Sequence, residues 1–206
     1  IIGYEKNNPN FVINHYNFFF LSDLSAQKTT IMVSINVSES SIHWLGKKIT
    51  GQHEGNINLL SGSLIMENGL LTGGDFIVDM NSIASTDLKG ESAEKLEGSL
   101  KSEEWFDAEN HPQAKLVFTS VVSQDVGLYN VTGDFTIKGK TNPATFKLQV
   151  NNLEATAKVI IDRTLFNILN GSNSFFSNLK DKMVNNYFEL HVNLKLLTLK
   201  TPLARH

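Results

Sequence analysis

At 206 residues the chain is long enough to bury a core of its own, and 41% hydrophobic with 19% charged residues is the composition of a folded domain, not a disordered one. A formal net charge of -3, with basic residues gathered no more densely than Lys47-Lys48 and the Lys138/Lys140 pair, argues against a surface built for nucleic acid, which concentrates positive charge on one face. The lack of cysteine removes disulfides, thiol catalysis and thiolate metal ligation, and no apolar run approaches the roughly 18 residues of a membrane-spanning helix.

From the N-terminus, Phe18-Phe19-Phe20-Leu21 followed by Ser22-Asp23-Leu24-Ser25-Ala26-Gln27 reads as the end of a secretory signal cleaved after Ala26. A loosely packed arm is the alternative, because Asn14, His15 and Asn17 interrupt the apolar run; residues 1–26 are set apart on either reading. Alternation of apolar and polar residues then predicts strands at Ile31–Val37, with Ile31, Val33, Ile35 and Val37 on one face, at Ser41–Lys48 with Ile42 and Trp44, and at His53–Leu60 with Ile57 and Leu59. A turn at Ser61-Gly62-Ser63, a short strand Leu64–Met66, a turn at Asn68-Gly69 and a strand Asp75–Ser82 carrying Phe76, Val78 and Met80 follow.

The stretch Asp87–Ser120 breaks this pattern and reads as a helical insertion, with Leu88, Leu96, Leu100, Trp105 and Phe106 as its apolar side. Ser102 followed by Glu103 and Glu104 predicts the N-cap of a second short helix, stopped by Pro112. A strand resumes at Lys115 with Leu116 and Phe118 inward. The second half alternates most regularly: Tyr129, Val131, Gly133, Phe135 and Ile137; a turn over Gly139–Pro143; Ala144, Phe146, Leu148 and Val150; a tight Asn151-Asn152 link; then Leu153, Ala155, Ala157, Val159 and Ile161. Links this short require an antiparallel meander. After a turn-rich excursion over 168–186 with Gly171 and Phe175-Phe176, the last strand is Tyr187–Leu197, with Phe188, Leu190, Val192, Leu194 and Leu196 on one face, and residues 199–206 form a tail.

Eight or nine strands, each with one wet and one dry face, must close into a barrel or stack as a sandwich. The small inward residues Gly133, Ala144, Ala155 and Ala157 favour a barrel with space inside, unless bulky residues opposite fill the gaps.

The sequence offers no catalytic or metal constellation. Asp75 and Asp79 share a strand face but stand about 13 Å apart at ~3.3 Å per residue, too far to share an ion. His43 and His53 fall on different strands without a metal-ligand spacing, and there is no nucleophile elbow or phosphate loop. His53, between Gly51 and Gly55, reads as satisfying a turn, and Arg163 beside Asp162 as a structural ion pair at a strand end; a polar head-group contact is the alternative for each.

Five segments carry a likeness. They are Trp44-x-Gly46-x-Lys48-x-x-Gly51-x-His53-x-Gly55, Leu71-Thr72-Gly73-Gly74-x-Phe76-x-Val78-Asp79-Met80-x-Ser82-Ile83, Leu100-Lys101-Ser102-x-x-Trp105-Phe106-Asp107 with His111-Pro112, Val131-Thr132-Gly133-Asp134-Phe135-Thr136-Ile137-Lys138-Gly139-Lys140-Thr141, and Ile161-Asp162-Arg163-Thr164. In this order, over about Ile31 to Leu196, the chain resembles the YceI-like lipid-binding family in its Bacteroidetes form. The resemblance implies a mostly β fold over residues 27–198, an extended lipocalin-like antiparallel β-barrel of about eight strands with a short helical insertion. It further implies a periplasmic or secreted protein that holds a long apolar lipid, of polyisoprenoid or isoprenoid-quinone type, without catalysis and with no cofactor beyond that lipid. A second copy of the chain is a further candidate partner. By carry-over the insertion Asp87–Asp107 covers the barrel and Leu100, Trp105 and Phe106 touch the cavity; Trp44, Phe76, Phe118, Phe135 and Phe146 are candidate walls, with an ordinary core role as the alternative. Three places depart from the family pattern: Ser99 stands where many members have His, Trp105 replaces a common Phe, and Leu165–Gly171 lacks the usual Gly-Ile-x-Tyr-Gly. Two other functions stay open at this point: a lipid-modifying or hydrolytic enzyme using His53, Asp79 and Arg163 at a cavity mouth, and a solid-cored β recognition domain.

Overall fold

The computed structural model describes residues 29–171 and 184–197. The signal-like segment, Phe175-Phe176 and the tail lie outside the described residues. Eight strands run in chain order: β1 Thr30–Lys48, β2 Gly51–Glu67, β3 Leu70–Ser85, β4 Gln113–Asp125, β5 Leu128–Ile137, β6 Lys140–Val150, β7 Glu154–Asp162 and β8 Val184–Leu196. Each pairs antiparallel with the next, and β8 returns to β1, so the sheet closes into a barrel. Among the described residues one helix, α1, Glu91–Lys101, lies between β3 and β4, and a single 3-10 turn, Arg163–Phe166, follows β7.

The alternation sets the inside of the barrel. On β5 every second residue from Tyr129 to Ile137 is buried. Two short turns then fix the register on which that inside depends: Asn68-Gly69 and Lys138-Gly139 all have positive φ, the backbone that matches the twist of a two-residue hairpin.

Four expectations are corrected. The strands predicted at Ile31–Val37 and Ser41–Lys48 are one 19-residue strand, whose registers shift between Ser34 and Ile42 toward β2 and between Asn36 and Ser41 toward β8. The polar run between them is a bulge held by its own hydroxyls: Ser38 Oγ donates to Asn36 Oδ1, and Ser40 Oγ donates to the Asn36 carbonyl while accepting from Lys195 N. Ser61-Gly62-Ser63 is likewise no turn but continues β2 past a register shift at Leu59/Ser61. Gly62 is small there because a Cβ would lie 2.6 Å from the Phe76 ring.

Third, the turn predicted over Gly139–Pro143 is only Lys138-Gly139, and Pro143 belongs to β6. It is tolerated because β7 pairs with β6 only over Lys147–Val150, leaving Pro143 on an unpaired edge. Fourth, Ser102 opens no second helix. Its backbone is extended and its N–H and Oγ both donate to Ser99 O, which makes it the C-cap of α1. The chain then runs through successive turns to Asn110, with Asp107 in the left-handed region at φ 49.

The end of the barrel at the Asn68-Gly69 turn is filled by Leu64, Leu71, Tyr129, Val131 and Ala155, all nearly inaccessible, with Leu71 N donating to the Tyr129 hydroxyl. The other end, crossed by α1 and the Ser102–Pro112 segment, is different.

Candidate functional site

Toward the α1 end the barrel holds an internal cavity of about 180 Å3. Its walls come from inward residues of all eight strands, among them Ile42 and Trp44 on β1, Ile57 and Leu59 on β2, Val78 and Ile83 on β3, and Leu190, Val192 and Leu194 on β8. A run of rings from β3 to β6 follows the wall: Phe76 to Phe118 at 5.5 Å between centroids, Phe118 to Phe146 at 5.9 Å and Phe146 to Phe135 at 6.2 Å. These offset and edge-on distances are those of favourable aromatic pairs. Glycines make room for the rings, since a Cβ at Gly74 would lie 3.0 Å from Phe118.

All eight residues predicted as cavity lining, Trp44, Phe76, Leu100, Trp105, Phe106, Phe118, Phe135 and Phe146, border this cavity. The small-residue argument survives only at Ala157, which lines it. At Gly133 the alternative holds: a Cβ would meet Leu116 Cδ1 at 2.5 Å, so a bulky neighbour already occupies the gap. Sequence reading passed over Ile83, Phe188 and Leu190. Phe188 and Leu190 were visible as inward positions of an alternating strand, but nothing in their spacing says that space lies beside them.

The lid is Leu100, Trp105 and Phe106. No residue of α1 is fully buried; the segment packs on the core through the half-buried Leu100, Trp105 and Phe106 and is held by hydrogen bonds at its margins. At the β2–β3 side the Asp87 carboxylate takes His53 Nδ1 at 2.8 Å, Ser85 Oγ at 2.8 Å and the Glu54 N–H at 3.3 Å, and Ser85 N donates to Glu97 of α1. Burial pushes the Asp87 carboxyl up, and these hydrogen bonds outweigh it, so it lies below its usual value. Across the mouth Lys138 Nζ donates to Glu103 O at 2.6 Å, Asn170 Nδ2 donates to Glu104, and Phe106 meets Phe188 edge-on at 6.0 Å.

Arg163 is the polar residue set deepest at this rim, 2% exposed. It corrects the expected ion pair: its guanidinium donates to four backbone carbonyls, those of Ile168, Asn170, Val184 and Asn185, and stacks 5.1 Å over the Trp105 ring. The Asp162 carboxylate is turned instead to Thr164, accepting from its N–H and its hydroxyl. Burial lowers the Arg163 pKa, and the nearby Asp162 charge opposes that. Arg163 does border the cavity, whereas His53, the other predicted head-group contact, does not; it is committed to Asp87.

No contact joins His53, Asp79 and Arg163, the cluster an enzyme at the mouth would need: Asp79 Oδ1 accepts from Asn81 N on its own strand. Among the described residues no group of His, Asp and Glu is placed to hold a metal ion, and no helix is long and apolar enough to cross a membrane. The interior is not solid, which removes the solid-cored reading.

A closed eight-stranded antiparallel barrel, packed at one end and hollow under a helical lid at the other, is a lipocalin-like cavity barrel. The family model described as the YceI-like domain matches residues 33–196, and the chain belongs to that family. Its fold is similar to that of BcnA from Burkholderia cenocepacia, with TM-score 0.64 at 20% identity over 80% of this chain and 99% of that one. It is also similar to a polyisoprenoid binding domain from Saccharophagus degradans implicated in plant cell wall breakdown, with TM-score 0.56 at 11% identity over 80% of this chain and 97% of that one. Two UPF0312 proteins of Pseudomonas putida, from strains W619 and F1, are 40% and 42% identical over 52 residues. That match spans 25% of this chain and 27% of each relative.

Proposed function

We propose that the protein binds a long apolar lipid of polyisoprenoid type in the barrel cavity and carries or sequesters it unchanged. The observation that carries this reading is the cavity: enclosed by strands, covered by Leu100, Trp105 and Phe106, and walled by aliphatic and aromatic side chains with few polar groups beyond Arg163, Lys115, Asn185 and Tyr187. A prenyl chain presents only methylenes, methyls and double bonds, and such a ligand needs dryness and shape instead of convergent hydrogen bonds. At about 0.8 kcal/mol per buried methylene, roughly ten such groups match the ~8 kcal/mol of a micromolar complex before the costs of immobilising it. The similarity to a domain whose name states polyisoprenoid binding supports the class of ligand.

Carriage without reaction is proposed because the cavity is walled mainly by apolar side chains and the guanidinium of Arg163 at its rim is occupied by backbone carbonyls. Export from the cytoplasm is proposed on the segment Phe18–Ala26, and sequencing the N-terminus of protein recovered from the cell envelope tests it. The binding reading is tested by native mass spectrometry and solvent extraction of the purified chain. An adduct of apolar lipid that extraction removes and polyprenol restores is expected; a chain that carries no such adduct and accepts none refutes it.

A further inference from the structure

Three hairpin turns lie at the packed end of the barrel, joining β2 to β3, β4 to β5 and β6 to β7. Each holds one aliphatic side chain out in water: Leu70 beside Asn68-Gly69, Val126 beside Gly127 and Leu153 beside Asn151-Asn152. Leu70 is 56% exposed, Leu153 54% and Val126 95%. Single exposed aliphatics are ordinary on a protein surface. One on each turn of the same end is not scatter, because tight turns favour Gly, Asn, Asp, Ser and Pro and gain nothing in folding from a Val or Leu left in solvent. Met32, near the start of β1, and Leu197, just past β8, add two more exposed apolar side chains at this end.

Charge sorts the two ends. The turns of the packed end, over 67–70, 124–128 and 150–154, contain no lysine or arginine, and their charged groups are Glu67, Asp125 and Glu154. Glu154 pairs with Lys195, and the Asp125 carboxylate accepts from the N–H of Val126 in its own turn. At the mouth, by contrast, Lys47, Lys48, Lys138 and Lys140 stand at the turns, and α1 carries Glu91, Glu94 and Glu97. Thr29 and Leu197, where the described chain begins and ends, are both at the packed end. The apolar run Phe18–Leu21 closes eight residues before Thr29, within reach of the turns through about 26 Å of extended chain at ~3.3 Å per residue.

We infer that the packed end is a membrane-docking surface, which dips Leu70, Val126 and Leu153 into the head-group region of a lipid bilayer. Separate aliphatics on separate turns, flanked by Asn, Gln and Gly, fit a fluid surface that closes round each side chain, whereas a protein partner needs one continuous complementary patch. The lipid surface it fits is neutral overall: among the described residues this end has no cation outside one ion pair to draw anionic lipid, and its carboxylates oppose such lipid. While Phe18–Leu21 stays attached, it brings a further apolar group to the same surface. So docked, the barrel turns Leu100, Trp105 and Phe106 away from the bilayer. The inference does not rest on what the cavity holds.

The test is flotation of the full chain with phosphatidylcholine vesicles, at about 0.1 M and about 1 M salt. Binding is expected that salt leaves within about twofold, as for apolar insertion, and that added phosphatidylglycerol does not strengthen. Val126→Glu, at a side chain almost wholly in water, should weaken it roughly tenfold, the measure of one aliphatic group withdrawn from lipid. Val126→Glu combined with Leu153→Glu should abolish it with the urea midpoint of the protein unchanged. Ile49→Glu, on the β1–β2 turn at the mouth, should bind as the unaltered chain does. Absence of flotation with phosphatidylcholine overturns the docking surface. So does Val126→Glu floating as well as the unaltered chain, loss of binding in Ile49→Glu, or binding that needs phosphatidylglycerol and vanishes at high salt.

Discussion

Gly55 carries no side chain because none fits: a Cβ there would collide with the Ala84 carbonyl and lie 2.5 Å from Trp44 Cζ2. Backbone cannot yield as a flexible side chain does, so Gly55→Ala should cost about 1–3 kcal/mol, read as a lower urea midpoint, and should displace the Trp44 wall of the cavity. Arg163 makes the opposite argument, from groups that must not be left alone. Arg163→Met strands four carbonyls at the rim and should cost about 3 kcal/mol or more in the same titration. Arg163→Lys should recover little of it, because an ammonium cannot span the fork of a guanidinium. These partners were illegible in the sequence: adjacency suggested Asp162, while the atoms that hold Arg163 are main-chain oxygens 5 to 22 positions away. Glu189 sets a pH dependence. Hydrogen bonds from Lys158 and Lys47 hold its carboxyl down to about 2 from an ordinary 4.5. A carboxyl depressed in the folded state stabilises above its unfolded value and loses that contribution as pH falls through the folded one. Glu189→Gln should therefore flatten the stability curve between about pH 4.5 and about pH 2 and leave its shape above that window unchanged, as followed by urea unfolding at stepped pH.

Among the elements, α1 and the turns after it differ from every strand in how they are held. The strands have ladder bonds on both sides and one buried face, whereas α1 has no fully buried residue, rests on the core through half-buried Leu100 and is pinned by hydrogen bonds at its margins. Amides of α1 should exchange with solvent faster than those of β5 in a hydrogen-exchange time course. Asp87→Asn removes the charge that gathers His53, Ser85 and the Glu54 N–H, and should speed release of a bound apolar fluorophore roughly tenfold, the effect of losing about 1.5 kcal/mol. Strands were readable from the sequence because one face of each meets the core, and period-two alternation follows from that alone. What misled was local chemistry with two uses. Ser61-Gly62-Ser63 looks like a turn but continues β2, with Gly62 making room for Phe76, and Ser102-Glu103-Glu104 looks like an N-cap although Ser102 was needed to end the preceding helix.

At the scale of the whole molecule, the barrel separates a packed end from a hollow one, and the two tolerate change differently. Ala157→Phe points a ring into the cavity and should reduce loading with an apolar ligand while the barrel persists, at a cost of about 1–3 kcal/mol in thermal unfolding. Unchanged loading would place the ligand elsewhere. The likeness across five motifs located the fold, yet the position and extent of the hollow were not legible. They depend on which opposing side chains meet, and at Gly133 that was settled by Leu116 from a neighbouring strand. The closure of β8 onto β1 reaches further. It joins Ser40 to Lys195, 155 positions apart, so the seam forms only once the last strand has left the ribosome. Until then β1 and β7 wait with raw edges. A nascent chain cut short before Val184 cannot settle into a narrower ring, and its natural fate is to stitch those edges to another molecule.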